Sequence, residues 1–292
     1  MKKLFGFLSF VFSLAILFSC EPGRDENGDL LFGVNNPGET GGGGGPTGVV
    51  KQLKSVTSKE DTGETITYNY SYLLGKLVNV KTSDNSISYS LSYDNNTVNK
   101  ITIVQKEGSV ITTTDYAVTY NNGKFVEAKG TGKEDTGNSF TNTITANYTN
   151  NKVSKISSKM VGIDTADPNI TYDMFTLQSD ITYAGNNIST WKFSTIFPAT
   201  PPVSIPPIVI SSVLSDYDTK INPFNTLPEA YNIVSSLYGF DSFAVIGFSA
   251  NNYRKVTVEG QSLTYVYTYD ADGYPTKAVA SGNLGTLTFQ YQ

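Results

Sequence analysis

The feature that most constrains this chain is a short unit repeated along it: an aromatic residue, a polar turn, an apolar residue five places on and another at eight. Tyr93-Asp94-Asn95-Asn96-Thr97-Val98-Asn99-Lys100-Ile101 shows it, and Tyr148-Thr149-Asn150-Asn151-Lys152-Val153-Ser154-Lys155-Ile156 repeats it. Further copies start at Tyr72, Tyr120, Tyr183 and Phe248, with a looser one at Tyr269. Tyr217-Asp218-Thr219-Lys220 begins the same way but runs into Asn222-Pro223-Phe224. Asn-Asn, Asn-Gly and Asp-Gly pairs tolerate positive φ and close tight hairpins. The aromatic therefore ends one strand and the residue five on begins the next.

Between copies the chain alternates with a period of two, as in Ile87-Ser88-Tyr89-Ser90-Leu91-Ser92-Tyr93. One face is apolar and aromatic, the other Ser and Thr. Copies recur every 21 to 35 residues, room for two strands and two turns each. The outer turns echo one another too, Lys59-Glu60-Asp61-Thr62-Gly63 returning as Lys133-Glu134-Asp135-Thr136-Gly137. The expected fold is all-β, a large antiparallel meander of about sixteen strands. A sheet of that size curls to bury its edges, giving a barrel-like form with an apolar interior. That is the inverse of an outer-membrane barrel, whose outer band is apolar. The terminal Phe289-Gln290-Tyr291-Gln292 also lacks the closing aromatic residue of such barrels. A lipid-facing pore is not expected.

One region breaks the rhythm, at about 197–240. Phe197 to Pro207 holds five prolines, which central strands exclude. In Pro228–Tyr238, Pro228 suits a first helical turn, and Tyr231, Val234, Leu237 and Tyr238 share a helical face. The spacing predicts one short helix near 228–238, packed across a mouth or edge of the sheet.

The N-terminus reads differently. Lys2 and Lys3 precede an apolar run from Leu4 to Phe18, too short to span a bilayer as a helix and suited to a signal peptide over 1–19. Leu17-Phe18-Ser19-Cys20 resembles the bacterial lipobox, with Phe18 bulkier than usual. Cys20 is the only cysteine, where an exported protein normally has pairs or none. Lipidation of Cys20 accounts for it. Residues 20–48, rich in Gly, Asn, Pro and acids, form the expected flexible tether, leaving 49–292 as the folded domain. Arg24-Asp25-Glu26 resembles the acidic signal that sends some Bacteroidetes lipoproteins to the cell surface.

The hairpins opening on Tyr-Asp look like the YD repeats of RHS-type shell proteins. Together with the lipobox, the tether and the segment Tyr217–Phe224, they resemble a family of uncharacterised Bacteroidetes lipoproteins with a porin-like β fold. The likeness covers most of Val50–Gln292, though the Tyr72 copy has Leu73-Leu74 where polar turn residues are the rule. It implies an outer-membrane, lipid-anchored location, on the periplasmic face or the cell surface, and adds no chemistry.

Catalytic groups are sparse. The chain has no histidine, which removes Ser-His and Cys-His nucleophiles and the commonest zinc ligand. No phosphate-cradling Gly-Lys-Ser/Thr loop or dinucleotide fingerprint occurs, and no cofactor is expected. A net charge of −5 disfavours nucleic acid. Carboxylates remain: Asp216 and Asp218 as a pair, Asp164, Asp167, Asp173 and Asp180 around a long turn, and Glu60-Asp61 and Glu134-Asp135 as weak calcium ligands. Turn formation and solubility account for them more simply. Trp191, Phe193, Phe197 and Tyr217 flank the interruption, where a ligand mouth could form. The sequence thus points to a non-catalytic binding or structural module whose partner is a glycan or envelope protein. A carboxylate hydrolase and a carrier of a hydrophobic molecule are the alternatives.

Overall fold

The computed structural model describes residues 51–60, 63–199, 205–237 and 243–292. The expected signal peptide, Cys20 and tether lie outside the described residues, as do Asp61, Pro201, Pro202 and Tyr238.

Sixteen strands form among the described residues. They are β1 (Leu53–Glu60), β2 (Thr65–Leu73), β3 (Lys76–Thr82), β4 (Ile87–Asp94), β5 (Thr97–Glu107) and β6 (Val110–Asn121). Next come β7 (Lys124–Glu134), β8 (Ser139–Thr149), β9 (Lys152–Ile163), β10 (Thr171–Ala184) and β11 (Asn187–Ile196). The last are β12 (Ile208–Tyr217), β13 (Tyr253–Val258), β14 (Gln261–Tyr269), β15 (Pro275–Ala280) and β16 (Gly285–Tyr291). Each pairs antiparallel with its sequence neighbour, and β1 pairs with β16, so the sheet is a closed barrel. Closure is completed within the described residues, down to Gln52 and Gln292 exchanging main-chain bonds of 3.1 and 2.9 Å.

The spacing of five and eight in the repeat conflicts with a strand period of two, and a bulge resolves it. Ser71 pairs with Asn79 but Tyr72 with Leu77, so Val78 is an extra residue and both Leu77 and Val80 point inward. The same shift precedes Tyr93, Tyr120, Tyr148, Tyr183 and Tyr269. At the closure, Leu53 and Val56 straddle a shift opposite Tyr291. Eight tyrosines, at 72, 93, 120, 148, 183, 217, 269 and 291, thus stand at one end of the eight even-numbered strands.

This belt is cross-linked to the preceding strand. Tyr93, Tyr183 and Tyr291 donate to the carbonyls of Leu77, Val153 and Pro275 at 2.7, 2.8 and 2.7 Å, and Tyr217 donates likewise to Ile188. Burial pushes the Tyr93 and Tyr291 phenols up, Tyr93 to about 12, so both remain protonated donors at neutral pH. Lysines brace the tips from outside. Lys124 Nζ lies 4.7 Å from the Tyr148 ring centre and bonds Asn151, while Lys152 covers Tyr183 and bonds Gly185 and Asn186.

Inward positions are apolar and buried, including Val56, Tyr70, Val80, Tyr89, Ile101, Tyr116, Phe125, Ile144, Ile156, Ile188, Val256 and Phe289. Outward positions are mostly Ser, Thr, Lys and Asn, with scattered apolar residues such as Val126, Val213 and Val266 among them and ion pairs such as Lys100–Asp115 and Lys159–Asp173, both at 2.9 Å. The polarity expected from the alternation is the polarity observed.

Candidate functional site

A closed barrel of sixteen strands is wider than inward side chains alone can fill. The chain fills one half with its own insertion. The described residues 218–237 and 243–252, between β12 and β13, stand where Tyr217 would otherwise open a hairpin turn. They enter the lumen at the tyrosine end and hold two short helices, α1 (Glu229–Ser235) and α2 (Phe243–Ile246). The predicted helix near 228–238 is present but is not the only one. It also has no solvent face: Ala230 through Leu237 are all buried. Its contacts explain why. Tyr231 meets the Tyr89 ring on β4 at 5.3 Å, Phe224 meets Phe289 on β16 at 6.1 Å, and Glu229 accepts from Tyr148 of β8 at 2.6 Å. The insertion therefore spans the lumen.

Many of the polar groups carried inside are bonded, although Asn225, Asn232 and Asn252 each keep a buried Oδ1 without a hydrogen-bond partner among the described residues. Asn222 Nδ2 donates to Ile246 O at 3.0 Å, and Asn232 Nδ2 to Phe224 O at 3.1 Å. Ser235 and Ser236 bond carbonyls of their own helix. Phe248, which reads as another strand-ending aromatic, instead belongs to this plug, and β13 begins only at Tyr253.

The other end of the barrel differs. There the inward-facing Tyr68, Ile87, Leu177, Phe193 and Ile210 pack against the core yet keep partial exposure. Trp191 and Phe193 lie together on this inner wall, ring centres 6.2 Å apart, with Trp191 Nε1 donating to Ser179 Oγ at 3.1 Å. Ser212 pairs with Trp191, and its buried Oγ has no hydrogen-bond partner among the described residues. A further polar chain, Ser158 to Asn142 to Tyr116, lies on the same wall.

The four aromatics singled out in sequence are thus divided between the two ends. Phe193 pairs with Ile210 while Tyr217 ends the same strand seven residues on, about 23 Å away. Pro198, Pro206 and Pro207 lie at the mouth opposite the helix. Phe197 follows β11 at the Pro-rich end, and Tyr217 packs on Tyr253 beside the plug. Sequence order made these features adjacent, and strand β12 separates them.

The candidate carboxylates are also dispersed. Asp216 has a left-handed φ of 58° and meets Arg254 outside at 3.3 Å. Asp218 turns inward and is raised above its ordinary value, chiefly by burial, against bonds from Tyr269 and Asn252. Asp164 caps the backbone of Ala166 and Asp167, Asp173 pairs with Lys159, and Asp180 accepts from Gln178. Glu134 accepts from Thr136 and Asn138 of its own turn. Among the described residues no three acidic, Cys or His side chains cluster to hold a metal.

These features define a class, a closed antiparallel barrel with a polar exterior, an apolar lumen and one mouth plugged by an internal loop. The fold is similar to that of a porin-like protein from Bacteroides vulgatus, at TM-score 0.51 and 13% identity over 83% of this chain and 99% of that one. Likeness at that identity concerns fold alone. No protein-family model and no curated protein sequence matches the chain.

Proposed function

We propose that this chain is a lipid-anchored envelope protein whose barrel binds a ligand at its unplugged mouth without transforming it. The observation carrying this reading is the inverted polarity of a closed barrel. Its outer face suits water rather than acyl chains, and its lumen is closed at one end by its own residues. The candidate carboxylates are taken up by turns, by side-chain bonds and outer ion pairs and, for Asp218, by the neck of the insertion, which favours binding over catalysis. Export and anchoring rest on the signal-like residues 1–19 and on Cys20, the only thiol.

Two ligand classes fit the mouth. Trp191, Phe193 and Tyr68 offer flat rings for glycan stacking, with Ser212 as a polar contact. The aliphatic neighbours Ile87, Leu177 and Ile210 favour a hydrophobic guest. Glycan arrays and native mass spectrometry on the chain from Val49 separate these. A retained glycan lost on Trp191→Ala supports the first, and a co-purified lipid supports the second. Neither, together with no envelope partner in pulldowns, would refute the binding reading. Acylation of Cys20 is tested by the mass of the N-terminal peptide from the native host.

A further inference from the structure

The hairpin joining β2 and β3 departs from its sisters. The turns after Tyr93, Tyr120, Tyr148 and Tyr183 carry Asn95-Asn96, Asn122-Gly123, Asn150-Asn151 and Gly185-Asn186. After Tyr72 come Leu73, Leu74 and Gly75. Leu74 is 93% exposed and Leu73 64%, and neither belongs to the core. Leu74 also holds a φ of 51°, where the Cβ of an L-residue crowds the following carbonyl. The sister turns give that conformation to Asn or Gly. The side chains of these two leucines take no part in the core, and strain kept at a surface points to function.

Position indicates what they meet. Gln52 Nε2 donates to Gly75 O at 2.8 Å, and Lys51 is held by Asp270 and Asp272 at 2.7 and 2.6 Å. The chain therefore enters the barrel at the plugged end, beside this tip. We propose that Leu73 and Leu74 form a membrane-contact tip that inserts into the bilayer carrying the lipid on Cys20. This rests on the anchor reading above. A tether of about 30 residues spans roughly 30 Å and by itself leaves the barrel free to turn. The tip directs the plugged end to the membrane and the open mouth away from it. A bilayer suits the tip better than a protein partner does. Two residues on a convex turn bury far less than the roughly 800 Å² per side of a stable protein interface. A tethered protein, in contrast, needs only weak insertion, because its effective concentration at the surface is high.

The test uses the chain from Val49, whose barrel closes without the preceding residues and which has no cysteine. Ser71→Cys, on the exposed side of β2, carries an environment-sensitive dye, and phosphatidylcholine vesicles are added at millimolar lipid. The expected result is a blue shift, quenched by doxyl-labelled acyl chains and insensitive to salt. Adding Leu73→Asn and Leu74→Asn should weaken partitioning about tenfold. These changes restore the sister-turn chemistry, so an unchanged or raised Tm verifies the fold. No shift, an equal shift in the double variant, or a shift seen only with anionic lipid and abolished by salt would overturn the proposal. Failure of the anchor reading shows separately, as an unacylated Cys20 peptide from the native host beside an intact dye shift.

Discussion

Asp218 and Asn252, the first and last residues of the plug, are bonded to each other at its neck. Asp218 N donates to Asn252 O at 2.9 Å, while Asn252 Nδ2 and N donate to Asp218 Oδ1 at 2.9 and 3.2 Å. Tyr269 of the belt donates to the other carboxylate oxygen. One side chain thus ties both ends of the plug to the barrel rim. Asp218→Ala should free the neck and cost about 2 kcal/mol or more, since it strands several donors. Hydrogen exchange would then show faster opening across 218–252 than across the strands, and uniform exchange would count against a locking role.

The same carboxyl gives a pH signature. Burial raises its pKa above the ordinary 3.8, despite bonds from Tyr269, Asn252 and Lys220. The folded state therefore favours the protonated form. Its contribution to stability is fullest below the unfolded value and is lost as pH rises through the raised folded one. Asp218→Asn cannot ionise, so its Tm relative to the parent should improve as pH rises from below the ordinary carboxyl value through the raised folded one. A difference that stays flat across that range would contradict the assignment.

Asp270 should behave with the opposite sign. Burial opposes ionisation there, but bonds from Lys51 and from the N–H groups of Tyr274 and Asp272 outweigh it and lower the pKa. Its contribution is present above the unfolded value and is lost as pH falls through the folded one. Asp270→Asn should therefore be less stable than the parent at neutral pH and converge with it in acid, as followed by thermal melts.

Two glycines on the inner wall differ in tolerance. A Cβ at Gly132 would lie 2.0 Å from the ring of Phe140, which is buried, whereas one at Gly162 would lie 2.3 Å from Tyr172, which is 53% exposed. Gly132→Ala should cost about 1–3 kcal/mol by overpacking. Gly162→Ala should cost less, because Tyr172 can swing outward. Denaturant midpoints would decide, and equal losses would refute the argument from exposure.

The leucine tip makes a prediction about stability alone. Leu74→Asn should raise stability by about 1 kcal/mol, because Asn accepts the left-handed conformation that Leu resists. A lowered Tm would show that Leu74 supports the barrel.

Much of the fold was legible because its signals are local. The alternation in Ile87–Tyr93 gives a strand and its buried face, and Asn-Asn or Asn-Gly pairs give the hairpins that count the strands. The bulge was written in the spacing of Leu77 and Val80, three apart and both inward, although only pairing shows that Val78 is the extra residue. The site was far less legible. Trp191, Phe193 and Tyr217 are near in sequence, but a strand carries its two ends to opposite mouths. The apolar face of α1 was legible, but not the burial of its other side: in the lumen Asn232, Ser235 and Ser236 bond backbone carbonyls.

By itself, the sequence determined an antiparallel meander of about sixteen strands with an apolar inner and a polar outer face. Side-chain alternation and turn conformation act over a few residues and need no distant partner. Only the tertiary structure decided that β1 meets β16 and that the described residues between β12 and β13 fold inward at the tyrosine end. Those outcomes depend on lumen width and on contacts such as Tyr89 with Tyr231, between residues far apart along the chain. No local pattern records them.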